Sequence, residues 1–198
     1  MKKLLLTAFE PFGGESINAS LEAQKLIPDR VGDWEIVKIL VPVVFGKDAE
    51  TVIAKADEIR PKAILCLGQA ENREFVTPEF VGINFMHGRI ADNAGLQPVR
   101  QEIVPGGPAA YFTTLPAFEM AEALKAAGVR TKVSYSAGTF VCNELLYRLL
   151  HHYSSAGSDV AVGFIHVPST PEQAREGKTS MDTAEAAGGI ISAIRALT

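Results

Sequence analysis

A three-layer α/β/α sandwich with a mixed, mostly parallel twisted sheet is the fold class this sequence predicts. Three observations carry that reading. Short apolar runs alternate with helix-like segments along the 198 residues, as in successive βα units. Several runs are almost continuously apolar, which suits strands covered on both faces. Hydrophobic residues make up 47% of the chain, enough for a sizeable core in one domain spanning residues 1–198.

The first strand is "KLLLTAF" (3–9). The opening "MKKLLLTAFEPFGGE" imitates a leader peptide, but its apolar run is short and Glu10-Pro11 closes it without a small-residue cleavage site. A helix is expected at 18–27, then the strand "WEIVKILVPV" (34–43), a helix at 47–59 and the strand "KAILCLG" (62–68). Later come a helix at 116–127, the strand "VRTKVSYS" (129–136), a helix at 140–152, the strand "VAVGFIHV" (160–167) and a helix at 179–197. Gly188-Gly189 in that last helix suits a close contact, either between subunits or within the chain. Residues 69–115 break the rhythm, being rich in Gly, Pro and Asn. There "EFVTPEFVGINF" (74–85) reads as an irregular strand, because Pro78 cannot donate to a ladder. "GRIADNAGLQP" and "VPGGPAAYF" read as loops or short hairpins. A long irregular insertion in a compact domain is often functional.

Charge and cysteine usage exclude several classes. The net charge of −4, with 21% charged residues, offers no basic face for nucleic acid. No apolar run approaches the roughly 20 residues that span a membrane. Two cysteines, Cys66 and Cys142, do not make a disulfide framework, and a reducing cytoplasm suits them. No His/Cys/Asp cluster has metal-ligand spacing, so neither metal nor cofactor is expected.

Cys142 carries the chemical signal. "SAG" (136–138) is a turn after the strand, and Gly138 or Thr139 is placed to cap the helix that follows. Cys142 then falls in the first turn, where free N–H groups and the helix dipole favour a thiolate and an oxyanion. The same position also suits a small core residue, since Cys142, Leu146 and Leu149 share a helical face. Cys66, inside "AILCLG", reads as an inert core thiol. Of the four histidines, His151 and His152 suit a helix C-terminus and His87 a loop. His166 leaves a buried strand at its carboxyl end, the rim where α/β sheets place their sites. It is the candidate base, with a backbone-bonded core histidine as the alternative. Glu79 shares parity with Val81, Ile83 and Phe85 if the segment is extended, which aims it inward and in need of a partner such as His166. A surface glutamate beside a bulge at Pro78 is the other reading. The "PFGG" loop (11–14), flanked by Phe9 and Phe12, suits an apolar ligand pocket or a phosphate, though it matches no phosphate motif.

The chain resembles the type I pyroglutamyl peptidases, or pyrrolidone-carboxylate peptidases, over essentially its whole length. The resemblance is carried by "LLTAFEPFGGESINAS", "GQAENREFVTPEFVGIN", "RIADNAG", "GGPAAYFTTLP", "SYSAGTFVCNELLY" and "GFIHVPSTPEQ". It implies a cytoplasmic cysteine peptidase, needing no cofactor, that hydrolyses the bond after an N-terminal pyroglutamyl residue and forms homo-oligomers. It implies a triad of Cys142 as nucleophile, His166 as base and Glu79 as orienting acid. The implied binding residues are Phe9, Phe12, Phe140 and Val141 around the ring, Gln69 beside the lactam and Asn18 steadying the loop, with Arg89 near the scissile carbonyl. An aromatic slot suits a neutral lactam and disfavours a charged N-terminus. Departures from the family pattern fall at Val43, Glu71-Asn72, Met86-His87-Gly88 and the alanine of "RIADN", all bearing on the pocket rim. A phosphate-handling enzyme built on "PFGG", or a binder without turnover, are the alternatives, since fold alone does not fix function.

Overall fold

The most apolar runs assemble the centre of the sheet. The computed structural model describes residues 1–71, 73–174 and 179–197. Strand β1 (Lys2–Phe9) is followed by α1 (Ala19–Leu26), the two-residue β2 (Arg30–Val31) and β3 (Trp34–Val41). Next come α2 (Lys47–Ile59), β4 (Ala63–Gln69), β5 (Thr77–Glu79), β6 (Val81–Ile83) and β7 (Ala110–Phe112). The chain closes with α3 (Ala117–Ala126), α4 (Val141–Ser155), β8 (Ala161–Val167) and α5 (Thr183–Arg195). The main sheet has the order β2-β3-β1-β4-β8-β5. Its four central strands are mutually parallel, while β2 and β5 run antiparallel at the edges. β6 and β7 form a separate hairpin-like pair.

Both faces of the sheet are covered, as the continuous apolar runs require. Leu4, Leu6 and Leu65 point to the layer built by α1, α3 and α5. Leu5, Ile64 and Cys66 point to the layer built by α2 and α4. Gly189 allows α5 to approach α3: a Cβ there would lie 2.6 Å from Leu124 Cδ2. That glycine is therefore an internal contact, whereas Gly188 faces open space.

Four expectations are corrected. Residues 129–136 form no strand; Thr131 and Ser134 make only isolated parallel bridges to Val76 and Glu79. Pro78 lies between those partners and has no N–H, so the ladder cannot continue. The segment 74–85 is two short strands in different sheets, because Phe80 breaks away and donates to Ser134 O. Glu79 is fully buried but Phe85 is 37% exposed, so the shared-face argument for Glu79 does not describe the chain. The last helix begins at Thr183 rather than at 179, where Asp182 accepts from the N–H groups of Ala184 and Glu185.

Candidate active site

The head of α4 is anchored from outside. Gly138 turns the chain with φ +84°, and Phe140 is the N-cap, in an extended conformation without a side-chain cap bond. Thr139 does not cap the helix; its Oγ1 donates to His87 O, and His87 N donates back to Thr139 O. The buried Asn143 accepts from Ile83 N and donates to Ile83 O and Phe85 O. These bonds hold the first turn of α4 against the 83–87 segment. The first intrahelical bond runs from Glu144 N to Phe140 O, so the preceding N–H groups have no helical partner. Cys142 sits in that turn.

Gly68 of β4 makes room for the thiol. A Cβ at Gly68 would lie 3.1 Å from Cys142 Sγ and 2.7 Å from the Phe164 ring. Gly68 is also the register partner of His166 on β8. The sulfur therefore rests over the same end of the β4–β8 pair from which the imidazole projects. His166 is buried, and its Nδ1 lies 2.7 Å from Glu79 Oε1. With Nδ1 engaged, Nε2 is the nitrogen left to exchange a proton. Antiparallel pairing of β5 with β8 brings Glu79 to this position, with Thr77 opposite His166 and Glu79 opposite Phe164.

A fourth side chain joins the group that sequence reasoning missed. Arg73 Nη1 lies 2.5 Å from Glu79 Oε1 and Nη2 donates to Ser136 O at 2.9 Å. The signal was an arginine six residues before a glutamate in an irregular turn, which no pattern links to a buried carboxylate. Burial opposes ionisation of Glu79, but the His166 bond and charge, helped by Arg73, hold its carboxyl below the usual range. Burial pushes the His166 imidazole down, and Arg73 adds to this while Glu79 only partly opposes it. Burial likewise pushes the Cys142 thiol up, reinforced by the negative charge of Asp48 and Glu79. Burial therefore works against the thiolate that the helix N-terminus was expected to favour, and against the imidazolium beside it.

Asp48 belongs to a second buried acidic site. Asp48 of α2 and Glu144 of α4 are both fully buried, and each leaves one carboxyl oxygen without a partner among the described residues. Glu144 is paired with Arg148. Burial, then the charge of Glu144, raises the Asp48 carboxyl well above its usual range. Cys66 lies deeper, and burial pushes its thiol up to about 12.

The slot beside Cys142 is aromatic. Phe9, Phe12, Phe140 and Val141 line a narrow cavity with Asn18, Gln69 and Val43. Its volume is about 20 Å³, room for little more than one water. Phe140 stands between Phe12 at 6.4 Å and Phe45 at 5.2 Å. Phe45, two residues past the strand expected at 34–43, is a neighbour of the slot that sequence reasoning missed, since nothing local links it to Phe140. Val43 faces this slot, so its departure from the family pattern bears on the site itself. Asn18 caps α1 and its Nδ2 donates to Glu10 O, steadying the start of the "PFGG" loop. Gln69 accepts from Ala19 N at 2.7 Å and its Nε2 reaches Ser169 Oγ at 3.5 Å, so its amide is partly committed to the fold.

Arg89 is not gathered with these residues. It is exposed and lines an outer hollow of about 290 Å³ with Phe12, Gln69 and Glu71. Asn93 holds the two rims together by donating to Glu10 Oε1 and Pro11 O. The other departures, Met86 and His87, lie on the clamp to Gln101 and Thr139, while Asn72 lies outside the described residues. His151 does not act as a helix cap; its Nδ1 pairs with Tyr111 Oη at 3.0 Å. Among the described residues no group of three His, Cys, Asp or Glu is arranged to hold a metal, and no helix is long and apolar enough to cross a membrane.

Comparison with known proteins places this geometry. Residues 2–198 match the family model described as pyroglutamyl peptidase. The pyrrolidone-carboxylate peptidase of Levilactobacillus brevis is 45% identical over 98% of this chain and 97% of its own length. That of Staphylococcus saprophyticus is 42% identical over 98% and 92%. Among solved structures, the pyroglutamyl peptidase I of Bacillus amyloliquefaciens superposes with a TM-score of 0.95 at 40% identity, covering 100% of this chain and 97% of that one. The pyrrolidone carboxyl peptidase of Thermococcus litoralis gives 0.93 at 33% identity, with 100% and 93% covered. The chain is therefore a member of the pyroglutamyl peptidase family of cysteine peptidases.

Proposed function

We propose that this protein hydrolyses the bond after an N-terminal pyroglutamyl residue of peptides, through a Cys142–His166–Glu79 triad and a thioester intermediate. The observation that carries the reading is the buried 2.7 Å contact of Glu79 with His166 at the strand end over which the Cys142 sulfur rests. The pyroglutamyl ring enters the Phe9–Phe12–Phe140 slot, which a charged N-terminus would have to enter desolvated. His166 Nε2 removes the thiol proton as Sγ attacks the carbonyl carbon, because burial disfavours a standing thiolate–imidazolium pair. Glu79, held ionised, orients the imidazole and stabilises the imidazolium that forms. Unpaired N–H groups at the head of α4 stabilise the oxyanion, and Arg89, at the outer hollow, approaches the leaving peptide. The imidazolium then protonates the leaving amine, and water, deprotonated by His166, cleaves the thioester.

The substrate is accordingly a peptide with a blocked, uncharged N-terminus. Residues 1–198 act as one catalytic domain in a reducing cytoplasm, assembled as a homo-oligomer, and no metal or cofactor enters a step. The test is release of a fluorogenic amine from its pyroglutamyl amide, with dithiothreitol present and the prolyl amide as control. Wild type should turn over only the pyroglutamyl compound, and Cys142→Ser should lose at least about 10³-fold. Comparable turnover of the prolyl amide, or an unimpaired Cys142→Ser, would overturn the reading.

A further inference from the structure

We infer that Arg73 is a positioning residue of this site, one that ties the carboxylate orienting His166 to the chain segment launching the Cys142 helix. The inference rests on the peptidase reading above and deepens it.

Arg73 is itself well held. Its N–H donates to Ala70 O at 3.2 Å, and its carbonyl accepts from Thr179 Oγ1 at 3.3 Å. Its side chain, 27% exposed, reaches inward to the fully buried Glu79. One arm, Nη1, lies 2.5 Å from both Glu79 Oε1 and Thr77 Oγ1. The other arm, Nη2, donates to Ser136 O in the turn that leads into α4. Two pieces of chain that are remote in sequence, the β5 edge and the 134–140 turn, already meet through backbone bonds at Ser134, and this planar group ties the Glu79 carboxylate itself to the turn. A lysine would supply the charge but not the fork.

The charge has its own consequence. Titratable groups bearing on His166 are Glu79 from β5 and Arg73 from the turn before it, with Cys142 at the head of α4. Asp48 of α2, Glu79 and, from β4, Cys66 act on Cys142, while Gly68 and Gln69 at this end of β4 are uncharged. Arg73 disfavours the imidazolium, favours the Glu79 carboxylate and favours the Cys142 thiolate. Its loss therefore leaves His166 easier to protonate and Cys142 harder to deprotonate, and both move the working pH upward.

The test is the pH profile of two variants, Arg73→Gln and Arg73→Lys. The first readout is kcat/KM on the pyroglutamyl amide. The second is the rate of Cys142 alkylation by iodoacetamide, followed by peptide mass spectrometry and needing no substrate. For Arg73→Gln both profiles should shift upward by about 0.5–1 pH unit, and plateau kcat should fall ~10–100-fold, with KM nearly unchanged because Arg73 does not line the slot. Arg73→Lys should return both profiles to within about 0.3 unit of wild type while kcat stays depressed, since the Ser136 bond is lost. Thr77→Val keeps the shape and removes one anchor of the fork; it should shift both profiles upward by less, and it decides the matter if Arg73→Gln does not fold. Unshifted profiles in Arg73→Gln, or in Thr77→Val where that variant decides, would overturn the inference, as would full kcat in Arg73→Lys. A wild type that is alkylated normally but releases no amine would sink the peptidase reading, and the alkylation shift would still decide the role of Arg73.

Discussion

Two buried acidic sites flank Cys142, and they meet the cost of desolvation in opposite ways. Glu79 lies under His166 and Arg73, and those cationic or polarisable partners keep its carboxyl ionised despite full burial. Asp48 lies against Glu144, another acid, and Arg148 reaches only the Glu144 side. There no cation among the described residues touches Asp48, and burial followed by the charge of Glu144 raises its carboxyl well above its ordinary range. The general lesson is that burial alone does not decide the charge of a carboxylate; the sign of its nearest partner does. Around this thiol the difference separates a group able to stabilise an imidazolium from one whose charge only raises the thiol.

Glu79→Gln should have the largest effect. Glutamine keeps an acceptor near His166 Nδ1 but no negative charge, so kcat should drop ~10²–10⁴-fold, measured on the pyroglutamyl amide. Its effect on stability tests the contrast directly. His166 and Arg73 hold the Glu79 carboxyl below the ordinary carboxylate range, so its contribution is present above that range and is lost as pH falls through the folded value. Urea midpoints should therefore show Glu79→Gln costing ~1–3 kcal/mol near pH 7 and progressively less in acid.

Asp48→Asn should show the reverse dependence. The folded pKa of Asp48 lies well above 3.8, so its stabilising contribution is full below that value and is lost as pH rises through the folded pKa. Relative to wild type, Asp48→Asn should gain stability with rising pH, by about 1–2 kcal/mol at pH 9. If the midpoints of Asp48→Asn and Glu79→Gln follow pH in the same sense, the contrast between the two sites is wrong. Asp48→Asn also removes a charge that raises the Cys142 thiol, so alkylation of Cys142 should move to lower pH. The smallest expected effect belongs to Cys66→Ala, which should cost about 1 kcal/mol and leave the alkylation profile of Cys142 in place, because Cys66 is fully buried in β4.

The sheet was legible in the sequence where one rule governed a whole segment. "KLLLTAF" and "AILCLG" are apolar on both faces, so they are central parallel strands whatever surrounds them. The helix at 47–59 begins and ends where its pattern does. Legibility failed where a partner from elsewhere set the local structure. "VRTKVSYS" has the composition of a strand, but its neighbour carries Pro78 and the ladder stops. Glu79 points inward because β5 pairs antiparallel with β8, not because of its parity with Val81 and Ile83.

The candidate site divides in the same way. Sequence alone marked the candidates for chemistry, because a cysteine after a turn and a histidine leaving a buried strand are set apart by their local surroundings, and the resemblance to pyroglutamyl peptidases rests on those same stretches. Tertiary structure alone decided their charge states and their company. Arg73 meets Glu79 and Ser136, Phe45 meets Phe140, and Asp48 meets Glu144 only after the chain has folded. The physical reason is that hydrophobic periodicity is a local property that survives in a linear string, whereas desolvation and Coulomb energy depend on distances between groups far apart along it.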